Sequence, residues 1–380
     1  MKQSIYFVAT EFGTEVHHGP AVYTRNLWNL FQSHSEFDFH LIVLQSDVEH
    51  PRIHVPAHES GKRRGFYDRV ERHISSVMQN APKGSVLHVN SAHLIPPSIA
   101  EKYPTIVQIN DTEVCQHQIS LRSIQEYGLR RNIALNWRRK RENAVAKSSN
   151  YVVCNSNFTA RLVKQSYSLP EEKVKRIYKA VELSPFLDEL PKNPEGIKLI
   201  FIGSNWARKG VSVLIEAVGI LKARNPQQPL IAEIYGVVAP SMLGKYQALT
   251  RKHGVEDCVR FLGLLARKDA PAAISNCSML TLPSFEEGLG LVTIEAIATG
   301  IPVVGSQVGG IPEVINHADL GNLVEPGCAQ SLADAIVKQH ALEDTQHLVE
   351  QRKHSSLRFG TDSLADNISQ LYDLAIKSDG

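Results

Sequence analysis

Glu287 and Glu295 stand with seven residues between them in the run Pro283-Ser284-Phe285-Glu286-Glu287-Gly288-Leu289-Gly290-Leu291-Val292-Thr293-Ile294-Glu295. The apolar stretch Met279 to Leu282 is broken by Pro283, and Gly288 and Gly290 allow a tight turn before a helix that starts near Leu291. The first amides of such a helix have no partner within it, so the turn presents N–H groups and the positive end of the helix dipole to an anion. A carboxylate beside a phosphate is repelled by it, whereas sugar or ribose hydroxyls are donors that a carboxylate accepts. Two readings fit the stretch taken alone: a phosphorylated-sugar loop, or two solvated glutamates at an ordinary helix start.

A second anion site is written at Leu199-Ile200-Phe201-Ile202-Gly203-Ser204-Asn205-Trp206-Ala207-Arg208-Lys209-Gly210-Val211, a strand, a glycine turn and paired cations before an apolar-periodic helix at Val213–Leu221. There Arg208 can bind two oxygens in a fork and Lys209 acts as a point charge. The alternative is that both are exposed loop cations. Gly300-Ile301-Pro302-Val303-Val304 then ends the helix after Glu295 and opens a buried strand, and Gly309-Gly310-Ile311-Pro312-Glu313 makes another tight turn.

Together these residues resemble the donor-binding half of a nucleotide-sugar glycosyltransferase in the large retaining glycosyltransferase family 4, which has the GT-B fold of two Rossmann-like α/β domains facing across a cleft. In that family the first glutamate of the E-x7-E motif binds sugar hydroxyls and the second binds the ribose, which assigns those roles to Glu287 and Glu295. Gly288, Leu289, Gly290 and Leu291 would supply amides, and Gly203, Ser204, Arg208 and Lys209 would face the diphosphate. Ser204 occupies a position where relatives carry arginine, with Arg208 as its substitute. The R-K-G variant is similar to that of lipopolysaccharide-core glucosyltransferases, which implies UDP-glucose as a first donor and GDP-mannose as the next.

The N-terminal half carries a weaker match. His17-His18-Gly19-Pro20-Ala21 follows the first strand and resembles the family's G-G loop, with Gly19 at the donor diphosphate and His18 in place of the first glycine. After Thr105-Ile106-Val107-Gln108-Ile109 the family's His-Asp pair is replaced by Asn110-Asp111. Asn110 can donate and accept hydrogen bonds but carries no proton at neutral pH. Asp111 is then a candidate group near the acceptor hydroxyl, or a helix N-cap. His88 and His93 line the acceptor cleft or serve the structure. Arg208, Lys209, Glu287, Asp111 and Asn110 form the implied catalytic set, without metal or bound cofactor and with a nucleotide sugar as co-substrate.

These residues need two α/β series to position them. Strands are expected at Ile5–Ala9, His40–Leu44, Val86–Asn90, Thr105–Ile109, Tyr151–Asn155 and Lys175–Ile177, then at Lys198–Ile202, Leu230–Tyr235, Val259–Leu262, Met279–Leu282, Pro302–Val304 and Gly321–Val324. Glu182 to Gly196, with three prolines, reads as a linker. The expected division is 1–185 for an acceptor-binding domain and 186–360 for a nucleotide-sugar domain. The terminal helix, Ser363 to Ala375 within 361–380, is implied to return to the first domain.

A chain of 380 residues is long enough for two cores. Cys115, Cys154, Cys258, Cys277 and Cys328 form no C-x-x-C pair, so a disulfide framework and a zinc site are both disfavoured and a cytoplasmic chain is expected. Lys and Arg exceed Asp and Glu by 5 over residues 1–190 and fall short by 3 over 191–380. The excess centres on Arg122, Arg130, Arg131, Arg138, Arg139, Lys140 and Arg141, with Leu129, Ile133 and Trp137 on one side of an amphipathic helix. That stretch is either a solvated face or, through Arg130–Arg141, a peripheral contact with an anionic inner membrane face. No nucleic-acid module accompanies the charge, and no G-x-G-x-x-G supports a nicotinamide enzyme. The implied reaction moves a hexose to a glycan or lipid-linked acceptor in cell-surface polysaccharide or lipopolysaccharide synthesis. A catalytically silent scaffold and a sugar phosphorylase are the alternatives.

Overall fold

Short runs rich in Val, Ile, Leu and Phe, bounded by glycine, proline and asparagine, form strands covered on both faces, as parallel sheets require. The computed structural model describes residues 2–13, 19–33, 36–56, 65–110, 112–116, 128–342 and 345–377. Its chain divides into two units, Met1–Ala180 with Thr361–Gly380, and Val181–Gly360.

The first unit contains β1 (Gln3–Phe12), β2 (Phe37–Ser46), β3 (Ile53–His54), β4 (Val86–Val89), β5 (Thr105–Gln108), β6 (Tyr151–Cys154) and β7 (Val174–Arg176) in the order β3-β2-β1-β4-β5-β6-β7. The second contains β8 (Ile197–Ile202), β9 (Leu230–Tyr235), β10 (Val259–Gly263), β11 (Met279–Leu282), β12 (Val303–Ser306) and β13 (Gly321–Val324) in the order β10-β9-β8-β11-β12-β13. Every pairing in both sheets is parallel. Each chain segment adds strands on one side of its first strand, then crosses back to place the fourth on the other. This is the doubly wound topology, in which ligands bind beyond the carboxyl ends of the strands at the crossover. The expected pair of Rossmann-like α/β domains is therefore what the chain forms. The two-residue β3 was not foreseen, because so short a pair has no periodicity to read.

Alternation along β1 sends Ile5, Phe7 and Ala9 into one core and Tyr6 and Val8 into the other. The helix Thr361–Lys377 buries Leu364, Ile368, Leu371, Tyr372 and Ala375 in the core that holds Phe7, Phe31 and Phe39. His88 lies fully buried on β4 and pairs its Nδ1 with the Tyr372 hydroxyl at 2.9 Å. Burial without a charged partner pulls its pKa down to about 3.

The segment expected as a linker is docked on the second unit. Pro185 sits in the first turn of a short helix, Ser184–Leu187, where a missing N–H costs nothing. Lys353 Nζ donates to the carbonyls of Leu187 and Glu189, each at 2.7 Å. All five cysteines are free thiols, four of them buried. No helix among the described residues is long and apolar enough to cross a membrane.

Candidate active site

The loop after β8 is shaped by its own backbone before any ligand is considered. Asn205 takes a left-handed φ of 54°, a conformation asparagine tolerates better than most residues. Its carbonyl accepts from the Lys209 amide at 3.0 Å, and Val211 N donates to Trp206 O at 3.1 Å, which winds the loop into the helix Val211–Arg224. Trp206, buried against Tyr246 and Phe261, closes the strand end by donating its indole N–H to Gly203 O at 2.9 Å. Gly210 has φ 75°, and a Cβ there would collide with the Pro283 carbonyl. Glycine is required at this crossing, and it brings the two charged loops into contact.

Three bonds then join them. The Phe285 amide donates to Arg208 O at 2.8 Å, Arg208 Nη1 donates to Glu286 O at 2.8 Å, and Lys209 Nζ meets Glu287 Oε2 at 2.6 Å. The other Glu287 oxygen accepts from the Gly288 amide at 3.3 Å. Glu287 is held from the opposite side by Gly309, whose φ of 56° lets the backbone lie against the Glu287 carbonyl where any Cβ would clash. A Lys ammonium has three N–H groups, so the pairing with Glu287 leaves Lys209 two for other acceptors.

Gly290, at φ 82°, precedes the helix Leu291–Ala298, and its carbonyl accepts from Thr293 N at 2.9 Å and from Thr293 Oγ1 at 2.6 Å. Leu289 is buried and Leu291 partly so. Glu295 lies on the buried face of this helix and forms an ion pair with Arg267, whose guanidinium sits 4.8 Å from the Phe186 ring centroid. Burial pushes the Glu295 pKa up, and Arg267 works against that shift. Sequence reasoning had no means of finding Arg267. It lies in another loop, after β10, in a run with no motif.

The remaining expected residues are more scattered. Ser204 is exposed beside Asn205, and Gly19 is the first residue of the helix Gly19–Ser33. Asn110 Nδ2 donates to Gln108 Oε1 at 3.4 Å, and Gln108 Nε2 donates to the Tyr23 hydroxyl at 2.7 Å. Asp111, His17 and His18 lie outside the described residues. His88 is enclosed by core aromatics, so it lines no open surface. His93 is engaged by Glu142 and by Arg138, each at a nitrogen-to-partner distance of 3.2 to 3.3 Å, and serves to fasten the helix Leu129–Ser148. Among the described residues no group of three His, Cys, Asp or Glu is placed to hold a metal ion.

The second unit thus gathers two cations, two acids and a helix start on loops at the carboxyl ends of β8 and β11, the crossover of its sheet. Residues 186–355 match the family model for glycosyl transferases group 1, and residues 18–185 match that for glycosyltransferase family 4. A D-inositol 3-phosphate glycosyltransferase of Jonesia denitrificans is 30% identical over 220 residues, which are 54% of this chain and 51% of that relative. The matched part thus spans about half the length of that curated relative. Among solved structures, sucrose-phosphate synthase from Thermosynechococcus elongatus superposes with a TM-score of 0.77 at 19% identity, covering 99% of this chain and 100% of the other. The Anabaena protein Alr3699/HepE, in complex with UDP and glucose, gives 0.72 at 18% identity, with 98% and 99% covered. Two consecutive family models that together run from residue 18 to residue 355, on two doubly wound sheets, establish that this chain belongs to the GT-B glycosyltransferases of the group 1 and family 4 type.

Proposed function

We propose that this protein transfers a hexose from a nucleoside-diphosphate sugar to an acceptor hydroxyl with retention of anomeric configuration. The observation that carries the reading is the junction of the two loops, where Arg208 is tied to the Glu286 carbonyl and Lys209 to Glu287 at 2.6 Å. Breaking the glycosidic bond releases a diphosphate on which negative charge develops. Cations held beforehand by fixed partners stabilise that charge without reorganising. Glu287 orients Lys209 and accepts from sugar hydroxyls, while Glu295 and its partner Arg267 take the ribose end. Attack from the face of the departing phosphate, with that phosphate receiving the acceptor proton, needs no enzymatic nucleophile.

UDP-glucose is the first donor to test and GDP-mannose the next. The UDP and glucose bound by the structural relative support that order. We place the reaction in cell-surface polysaccharide or lipopolysaccharide synthesis. The helix Leu129–Ser148 adds a peripheral contact with an anionic membrane surface: Leu129, Ile133 and Trp137 are exposed in one row along it. The test is a transfer and hydrolysis screen of UDP-, GDP- and ADP-sugars. Turnover of one of them, lost in Lys209→Ala with the fold intact, is the expected result. A wild-type rate in that variant, or no turnover and no binding of any sugar nucleotide, would overturn the assignment.

A further inference from the structure

The first sheet also has a crossover, and its strand ends carry a different chemistry. Alternation places one polar residue at the end of each of three adjacent strands, β4, β5 and β6, on the same face. Val89, Val107 and Cys154 belong to one core, which turns their successors or neighbours Asn90, Gln108 and Asn155 to the opposite face, the side of Tyr23 and Ile177. The ladder pairs Gln108 with Val153 and Cys154 with Arg176, so Asn110 and Asn155 fall opposite one another and Ile177 follows beside them. Two residues beyond Ile177 comes Lys179, again on this face, with Nζ 5.3 Å from the Tyr23 ring centroid.

Two features of the row call for a ligand. Asn155 is 6% exposed, and its Oδ1 is a buried acceptor with no hydrogen-bond partner among the described residues. Lys179 is partly buried and faces no carboxylate among them. Burial alone pulls its pKa down to about 8. A buried acceptor and a desolvated cation each cost stability unless something completes them. Lys179 lies over the Tyr23 phenol, and the amide of Asn110 stands in register with Asn155 on the neighbouring strand end. Tyr23 accepts from Gln108, which accepts from Asn110, so these groups are held rigid and uncharged.

We propose that this row is the acceptor's seat, with Asn155 accepting from a ring hydroxyl and Lys179 reading a negative charge on the same molecule. The acceptor is then a phosphorylated or acidic sugar or polyol, not a neutral one. This rests on the glycosyltransferase reading above and names its acceptor class. It follows from the topology that sets these strand ends side by side.

The test titrates the full chain, with and without UDP, with paired probes: glucose 6-phosphate against glucose, myo-inositol 1-phosphate against myo-inositol, and glucuronate against glucose. A hydrogen bond to a charged group gives about tenfold to a hundredfold in affinity. At least one charged probe should bind tighter than its neutral partner by that factor. Lys179→Gln should collapse the difference to about twofold or less, and Lys179→Arg should keep most of it. Asn155→Ala should weaken both members of the pair alike. Equal binding of charged and neutral probes by the wild type, binding of neither, or a preference that survives Lys179→Gln overturns the proposal. If the glutamine variant fails to fold, the wild-type preference and the arginine variant still decide. Vesicles of phosphatidylinositol in phosphatidylcholine form a further arm. Capture that depends on Lys179 assigns the charge to a lipid headgroup, and preference confined to the soluble esters assigns it to a free sugar phosphate. UDP binding, measured separately, reports on the donor reading alone.

Discussion

The two sheets share a winding order, yet their crossover ends are furnished differently. At the second, the charged groups are anchored: Lys209 pairs with Glu287, Glu295 with Arg267, and Arg208 donates to the Glu286 carbonyl. At the first, among the described residues, Gln108 bonds the Tyr23 phenol and Asn110, and the Lys179 ammonium lies over the Tyr23 ring. A sheet edge that must meet a changing charge does best with cations already anchored, because their orientation costs nothing at the moment of bond cleavage. One that must recognise hydroxyls does best with neutral donors and acceptors, where a single charge is a selective mark. The fold is common to both. What differs is which residues the loops supply.

The sharpest way to break this contrast is at the anchored pair. Lys209→Met should lower kcat/KM by about a hundredfold to a thousandfold, the range found when one donor to a developing oxyanion is removed. Glu287→Gln should fall nearly as far, because it frees Lys209 to turn away. The double variant should be little worse than either single one if the two act as a unit. Additive losses would mean that the 2.6 Å contact is incidental and that the second edge is no more preorganised than the first.

How much of this was legible in the sequence follows from where each contact lies along the chain. Gly288, Gly290 and the two glutamates occupy one turn and one helix, so the requirement for a positive φ and a fixed spacing is written locally. Lys209 and Gly210 are equally local, and their meeting with the glutamates follows from strand order. Arg267 is not local to Glu295 and belongs to no pattern, and Lys179, Asn155 and Gln108 are single polar residues at the ends of separate strands. Only the crossover brings them together. Periodicity likewise grouped Leu129, Ile133 and Trp137 on one face without saying which way it turns. That was decided by Glu142, buried at 2% exposure between Arg138, His93 and Tyr167.

A middle-sized effect separates the units by pH. His88 is neutral when folded, with its pKa lowered to about 3, while an unfolded histidine takes up a proton near 6.5. The unfolded state therefore binds more protons below pH 6.5. The first unit should lose about 1.4 kcal/mol for each pH unit from 6.5 toward 3, with no loss above 6.5. His54 on β3 is shifted the same way by burial and by His40 and His73, and it adds to the loss. Hydrogen exchange at pH 7 and pH 5 should show β4 and the helix Thr361–Lys377 losing protection. Protection unchanged there would mean that the Tyr372 contact survives protonation and that the neutral core is not obligatory.

The smallest effect concerns the exposed row on Leu129–Ser148. Reversing Arg138 or Arg141 would confound a membrane test, because Arg138 pairs with buried Glu142 at 3.3 Å and Arg141 Nε donates to His93 O at 2.8 Å. Arg130 and Lys140 are exposed and make better probes. Neutralising both should weaken binding to anionic vesicles by about 1 kcal/mol for each charge and leave the melting temperature unchanged. Replacing Trp137 with Ser should reduce binding to neutral and anionic vesicles alike. Trp137 also packs 4.6 Å from Tyr67 and carries Arg141 over its ring, so a parallel loss of stability would show that the row is an outer layer of the fold. A loss confined to vesicle binding would make it a contact surface. The first unit would then hold its acceptor recognition and its membrane contact on different elements, while the charged chemistry stays on the second.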